Sequence, residues 1–526
     1  MVSFNMDILK RYEKALELYR AKKFDAALKI IPKVKADAPH WNKPILLEIF
    51  IRRDKGEWIK ALALLEELLP HLKYSSPDEK ALAADAFNCF GAVNRFLGRT
   101  EDSVRAFCLS ASLSDDNKKA CVEISNALFA ASSSGNFSSA DFQSLYDEYK
   151  KYLTDIVPYP KRFYDHKKIR VGFVSANFKW SVVVSWSWCF FNGTFDDNLF
   201  TVYCYSNVKE PDEVTELFRK VVKNWRDIYD LTDEQAAKLI RDDEIDILFD
   251  LDGHTENNRL RVAAYRPATV QISGVGYMNS TGLDCFDYFL SDVYCAGDSS
   301  WFTEKLLVLP HSHICYESPI KLEPAAYPPC FRNKFVTFGS FNQFAKVTDS
   351  MLTAWKKILD AVPNSRLLLK HKIFSSDDGR QFVSKRLKNF GFDLVRVEMR
   401  GFSEHHHLIE YGDVDIALDT FPYTGGVTTC EALYMGVPVV SLYGDKHGTR
   451  LGLSILNNVG LYELAVDSYD DYVKRAVALA NDWELLAILR KNLRTMMKKS
   501  PLMDSANYIR ETEQAFIQVL NAERNK

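Results

Sequence analysis

Among its ten cysteines the sequence has no C-x-x-C pair, which argues against a structural zinc site. Most of these cysteines stand among apolar neighbours and read as small core residues. It also lacks a basic surplus: Lys+Arg is 67 against Asp+Glu 70, a net charge of -3. Without a surplus or a charge block, nucleic-acid binding is not expected. No apolar run approaches the ~18 residues of a membrane span, VVVSWSWCFF being among the densest stretches. The N-terminal segment MVSFNMDILKRYEK turns charged too early for a signal peptide. These absences together predict a reduced, cytoplasmic protein with no membrane partner. An apolar fraction of 47% and a charged fraction of 26% are those of an ordinary globular chain. Its 526 residues suit about three domains.

Residues 1–153 have helical periodicity, with polar or glycine turns between segments. Phe24-x-x-Ala27 and Trp58-x-x-Ala61 stand 34 positions apart, and Phe90-Gly91, Gly98 and Phe107 follow. Alanine lets a neighbouring helix approach, and the aromatic fills the gap beside it. An aromatic-x-x-Ala pair at this period resembles the tetratricopeptide repeat. A proline- and charge-rich linker, 154–168, comes next. From Ile169 the pattern changes to strands alternating with helices, in two successive sets, 169–330 and 331–526. The first set includes IRVGFVSANF, LFTVYCYSN and IDILFDL, and the second FVTFGSFNQ, VDIALDT and PVVSLYG. This alternation predicts two parallel, doubly wound α/β halves facing each other across a cleft, with ligands at the carboxyl ends of the strands.

One strand end in the second set reads LDTFPYTGGVTTCEALYMG. Gly425 and Gly426 allow the backbone to approach a ligand closely, and Val427, Thr428 and Thr429 lead straight into a helix. Amides at that helix start, with threonine hydroxyls beside them, suit a diphosphate. Glu431, one turn in, is placed to accept hydrogen bonds from a ribose. Asn342, Gln343 and Lys346 lie beyond another strand, where a lysine can neutralise a leaving diphosphate. His405, His406 and His407 precede the VDIALDT strand. Three adjacent histidines cannot all point one way, so one of them stacking on a base is favoured over zinc. In the first set, Asp250, Asp252 and His254 of DLDGHT end a buried strand. A desolvated carboxylate there can serve as a base, and His254, titrating near neutrality, can shuttle a proton.

These segments resemble the O-GlcNAc transferase and SPINDLY-type glycosyltransferases in their bacterial form. The resemblance runs from IRVGFVSANF to SPLMDSANYIRETE and includes DLDGHT, YRPATVQISGVGYMNSTG, FNQFAKVTDSMLTAWKKILDAVPNSRLLL and HGTRLGLSIL. It implies a GT-B fold behind tetratricopeptide-like repeats, inversion at the anomeric carbon, and no metal. It implies that Gln343, Lys346 and Thr428 contact donor phosphates, that His407 packs on uracil and that Glu431 binds the ribose. UDP-GlcNAc is the first donor expected, with GDP-fucose or a UDP-hexose as alternatives. The acceptor is a protein or peptide hydroxyl, the polypeptide being held by the helical repeats. Two departures stand out. Ser181 occupies the position of a histidine that lies near the reacting sugar in the family, and Asn177 that of an aspartate. Asp246 stands where a second histidine is usual, and is expected to solvate a helix–strand turn. A nucleotide-binding scaffold without turnover is therefore the alternative to an enzyme.

Overall fold

The computed structural model describes residues 6–192, 195–318, 320 and 322–525. It divides into two compact units. The first comprises Met1–Ala130, Gln343–Ala345 and Leu369–Phe402. Its helices form consecutive antiparallel pairs: Met6–Arg20 with Phe24–Asp37, Asn42–Asp54 with Trp58–Leu68, and Pro77–Leu97 with Thr100–Ser112. Phe24 and Trp58 each open the second helix of a pair, as the 34-residue period requires. Ala27 and Ala61 are fully buried, so each marks the close approach that alanine permits. At Gly91 a Cβ would lie 2.8 Å from the Phe107 ring. Gly98 ends Pro77–Leu97 in the left-handed conformation, φ 78°, where a glycine avoids Cβ strain.

The segment Leu369–Phe402 completes this unit's core. Trp58 stacks on Phe96 at 3.9 Å, and Phe96 meets the His371 ring at 5.4 Å. Phe344 packs on Phe374 at 5.9 Å. Aromatic pairs of this kind are worth about 0.5–1.5 kcal/mol each beyond their burial.

The second unit comprises Ala131–Asn342, Lys346–Leu368 and Ser403–Lys526. It includes the helix Ser139–Lys151, opened by a reciprocal Ser138–Asp141 capping box. The Tyr146 hydroxyl of that helix donates to Ser280 O (3.3 Å) and Lys150 pairs with Asp284 (3.0 Å). This helix therefore packs with the first α/β half. The segment 154–168 is packed too: Tyr159 N donates to Tyr265 O (2.7 Å) and Lys161 pairs with Glu523 (2.6 Å).

The first sheet holds β1 (Ile169–Ser175), β2 (Phe200–Ser206), β3 (Asn224–Asp227), β4 (Ile247–Asp250), β5 (Val270–Ser273), β6 (Tyr288–Asp292) and β7 (Lys305–Leu309). Their order is β3-β2-β1-β4-β5-β6-β7, with parallel pairings throughout. The second sheet holds β8 (Thr337–Ser340), β9 (Arg366–Lys370), β10 (Val397–Arg400), β11 (Ile416–Leu418), β12 (Val439–Leu442) and β13 (Ala465–Val466). Its order is β10-β9-β8-β11-β12-β13. Each order reverses once, between β1 and β4 and between β8 and β11. Adjacent crossovers leave on opposite faces there, opening a crevice at the strand ends. The C-terminal helix Ser505–Arg524 returns to the first half, where Phe516 meets Phe249 at 6.0 Å and Glu523 accepts from the Tyr288 hydroxyl at 3.3 Å. Helical repeats followed by two facing Rossmann-like halves make a GT-B architecture.

Candidate functional site

The reversal between β8 and β11 collects most of the expected ligand-binding residues. β11 is too apolar to face water, and it ends on Asp419, which is 2% exposed. Asp419 Oδ1 accepts from the backbone amides of Thr420 (2.8 Å) and Gly425 (2.6 Å), and Oδ2 accepts from Ser441 Oγ (2.7 Å). This carboxylate thus folds the loop 419–425 back on its own strand. Gly425 is tight against it: an added Cβ would lie 2.6 Å from Thr428 Oγ1, 2.7 Å from Thr429 Oγ1 and 2.9 Å from Asp419 Oδ1. The helix Val427–Tyr434 starts immediately after Gly426, whose position supplies no side-chain cap. Its first amides are left for a ligand.

Around that helix start, Thr428 Oγ1 donates to Asn342 Oδ1 (3.1 Å), and Asn342 Nδ2 donates to Asp419 Oδ1 (3.4 Å). Thr429 Oγ1 donates to Gly425 O (3.0 Å). Lys346 lies with its Nζ 3.9 Å from the centre of the Tyr423 ring. Burial pushes its pKa down to about 8, opposed by the nearby Asp419 charge. Burial also pushes Asp419 up to about 6, while its hydrogen bonds and Lys346 pull it down. A cation on an aromatic face with only one compensating carboxylate is poised to take an anion. Gln343 is exposed directly after Asn342.

The His406 and His407 rings lie 4.5 Å apart, tilted by 31°, and His405 pairs elsewhere. His405 faces Glu410 (3.7 Å), His406 accepts from Leu408 N (3.3 Å), and His407 Nε2 bonds Glu431 Oε1 (2.9 Å). His407 keeps 41% of its side chain exposed while Glu431 keeps 13%. The His407 ring packs beside His406 while keeping part of its surface exposed, and Glu431 fixes its orientation. Tyr411 supports the same turn, its hydroxyl donating to Thr428 O (3.1 Å) and its ring stacking on Phe341 at 4.3 Å. On the facing half, Trp186 comes within 3.2 Å of a Cβ placed on Gly426. Asp419, Tyr423, Ser441 and Trp186 were not foreseen as site residues. Asp419 alone had a signal, a carboxylate directly after a buried strand run.

The DLDGHT residues stand at the other reversal, between β1 and β4. Asp250, Asp252 and His254 are 3%, 1% and 2% exposed. Asp252 accepts from Ser175 Oγ (2.7 Å), Ala176 N (2.6 Å) and Asn177 Nδ2 (2.8 Å), tying the end of β1 to the end of β4. Asp250 accepts from Gly253 N and Ser273 Oγ, each at 2.8 Å. Burial and the neighbouring Asp252 raise Asp250 to about 7, and burial raises Asp252 as well. His254 bonds Thr281 O (2.8 Å) between the Tyr149 and Tyr277 rings. Burial pushes it down to about 4. That corrects the expected titration near neutrality: His254 is neutral at pH 7.

Residues 152–318 and 329–512 match the sequence profile of glycosyl transferase family 41. The chain belongs to this family. Among curated relatives of this family-41 chain, a tomato (Solanum lycopersicum) protein named probable UDP-N-acetylglucosamine–peptide N-acetylglucosaminyltransferase SPINDLY is 39% identical over 386 residues, 71% of this chain and 40% of the relative. A barley (Hordeum vulgare) protein of the same name is 42% identical over 323 residues, 60% of this chain and 34% of the relative. The chain spans well under half the length of these relatives. Among solved structures, a lysine-to-methionine mutant of the Thermobaculum terrenum O-GlcNAc transferase superposes with a TM-score of 0.84 at 28% identity, covering 99% of both chains.

The family-41 chain carries its departures in the β1 loop. Ser181 is half-buried, and its Oγ donates to Asn177 O (3.1 Å). Asn177 in turn bonds Asp252, so amide and carboxylate make one network. Asp246 is 1% exposed and bonds His166 Nδ1 (3.0 Å) and Arg170 N (2.9 Å). It lies in the helix–strand turn before β4, as expected, but it is buried and braces the start of β1 instead of solvating that turn.

Proposed function

We propose that this protein is an inverting glycosyltransferase that moves GlcNAc from UDP-GlcNAc to Ser/Thr hydroxyls of proteins. The observation that carries the reading is the single crevice at the β8/β11 reversal. There the uncapped helix start at Val427, Lys346 on Tyr423, and the His407–Glu431 pair stand together on one strand-end surface. A diphosphate fits the amides and Lys346, a ribose fits Glu431, and a pyrimidine fits the exposed part of the His407 ring. The names borne by its relatives agree with that donor and with a peptide acceptor.

In this mechanism the acceptor hydroxyl attacks the anomeric carbon from the face opposite UDP. Negative charge grows on the leaving diphosphate. Lys346 and the amides of Val427 and Thr428 stabilise that charge, and Gln343 and Thr428 position the phosphates. Asp250, Asp252 and His254 act through the β1 loop as positioning residues. Asp252 already accepts three hydrogen bonds, and burial makes His254 a weak base with a pKa of about 4, so neither is suited to take the acceptor proton directly. The proton leaves through the donor phosphate or a water, because Ser181 has no base beside it. The metal-free reading of this reaction rests on Lys346 holding the place of a cation. The helical repeats hold the acceptor polypeptide on their extended surface. No described helix is long and apolar enough to cross a membrane.

The test is a thermal-shift panel of UDP, GDP, UDP-GlcNAc, UDP-glucose and GDP-fucose, followed by hydrolysis of the donors that bind. UDP and UDP-GlcNAc should raise the melting temperature selectively, by mass action on the folded state. Selective stabilisation by GDP-fucose would transfer the site to the other sugar nucleotide. Binding of UDP-GlcNAc without hydrolysis or transfer would leave a nucleotide-binding scaffold.

A further inference from the structure

A second polar cluster lies away from the β8/β11 crevice, where the two α/β halves meet. It draws on three loops: Cys295 just after β6, His313 just after β7, and His447 in the turn that follows β12. Their ligand atoms all lie within 4.8 Å of one another. Cys295, His313 and His447 are 0%, 0% and 1% exposed. Each imidazole has one nitrogen engaged. His313 Nδ1 bonds Asp292 Oδ2 (2.5 Å), and His447 Nδ1 bonds Met278 O (3.0 Å). Because the partners are acceptors, both Nδ1 atoms carry a proton, and in the neutral imidazoles both Nε2 atoms present lone pairs. Those two Nε2 atoms are buried and have no hydrogen-bond partner.

Buried acceptors left unpaired are costly, at about 1–3 kcal/mol each. Two of them beside one cysteine sulfur call for a common partner. We propose that Cys295, His313 and His447 bind a divalent transition-metal ion of the borderline class, zinc in the first instance. Two imidazole nitrogens and a thiolate are a donor set that zinc accepts. The carboxylate–histidine pair Asp292–His313 is the support that metal-bound histidines regularly have. It is strengthened by Ser454 Oγ, which donates to Asp292 Oδ2 (2.8 Å). Tetrahedral zinc needs the ligand atoms roughly 3.5 Å apart, so the three side chains must draw together on binding. The rings of Phe289 and Phe302 flank His447 at 5.2 and 5.6 Å, so water has little access. On binding, the Cys295 thiol gives up its proton to solvent and the sulfur bonds the metal. No electron is transferred.

The role follows from the origin of the ligands. Cys295 and His313 belong to the first half and His447 to the second. Asp292 also bridges the halves through Ser454, and Arg450 Nε donates to Tyr294 O (2.7 Å). The ion thus pins the two halves together on this side, separately from donor chemistry at Lys346.

The experiment uses the full chain without an affinity tag. Metal content is measured after growth with zinc, before and after dialysis against a chelator. We expect about one zinc per chain, its removal to lower the melting temperature by roughly 5 °C or more, and zinc to restore it. Cobalt added to the stripped protein should give a sulfur-to-cobalt charge-transfer band. That band should vanish in Cys295→Ser while ligand-field absorption from the imidazoles remains. Absence of stoichiometric metal, together with no thermal response to zinc or chelator, would overturn the assignment. So would an unchanged zinc content in a folded Cys295→Ser/His447→Gln double variant. Both readouts are independent of donor binding.

Discussion

Replacing Lys346 with methionine separates what this residue does for the fold from what it does for turnover. In the folded protein its pKa is pushed to about 8, against 10.5 for a free lysine. A lysine with a depressed folded-state value destabilises the native state below pH 8. The cost fades as pH rises from 8 towards 10.5, because the unfolded chain binds more protons in that window. At pH 7 the full cost applies. At 1.36 kcal/mol per pKa unit the shift corresponds to about 3.4 kcal/mol. Solvent contact at the side chain screens most of this, and the opposing Asp419 charge is already counted in the shift. The net expectation is a gain of about 1 kcal/mol, or a melting-temperature rise of roughly 2 °C, in the ligand-free Lys346→Met protein. Turnover should move the other way. Loss of one preorganised charge stabiliser costs about 100- to 1000-fold in kcat. The assay pairs ligand-free thermal melts with steady-state donor hydrolysis at pH 7. Near-normal kcat would refute the role of Lys346 at the leaving diphosphate. A melting temperature several degrees lower would instead make it a structural cation.

Three further outcomes are expected. In a pH series, kcat/KM for the donor should fall above about pH 8, because Lys346 loses there the proton that a diphosphate needs; a profile flat to pH 9.5 would contradict this. Glu431→Gln should raise KM for the UDP-sugar by about 10-fold and change kcat only a few-fold, since a ribose contact is made alike in ground and transition states; a kcat loss at constant KM would place Glu431 in the chemistry. Asp252→Asn should lower stability by about 2–4 kcal/mol in denaturant unfolding, because an amide cannot accept from Ser175, Ala176 and Asn177 as the carboxylate does. UDP affinity should stay within a few-fold in the same variant, and a wild-type unfolding midpoint would show that the carboxylate does not brace the β1 loop.

The sequence reading worked best for local geometry, which consecutive residues carry. Gly425 to Glu431 form one turn and one helix start, so their spacing carries their geometry. The 34-residue offset of Phe24 and Trp58 likewise marks equivalent positions in successive helix pairs. It failed where the role depends on distant strands becoming neighbours. Asp419 became a hub only because β8, β11 and β12 lie side by side, which brings Asn342 and Ser441 to its carboxylate. His254 was read as a neutral-pH shuttle because its burial between Tyr149 and Tyr277 depends on residues remote in sequence. β3, β6, β7, β10 and β13 also escaped notice. NWRD and VEMR are polar edge strands, and AV is too short to show a period. Cys295, His313 and His447 share no spacing rule and meet only after both halves have folded.

The way Leu369–Phe402 is built into the helical unit decides from which end the repeat array can be varied. Trp58, Phe96 and His371 form one packed group and Phe344 and Phe374 another, and the inserted segment contains β10 and the end of β9. The inner end of the array therefore has a partner of fixed shape. Its last helix pair cannot be exchanged for a generic repeat without recutting the surface it rests on. The pair Met6–Arg20 and Phe24–Asp37 can therefore be redesigned more freely than the pair that carries Phe96, which is held to the shape of the segment it packs against.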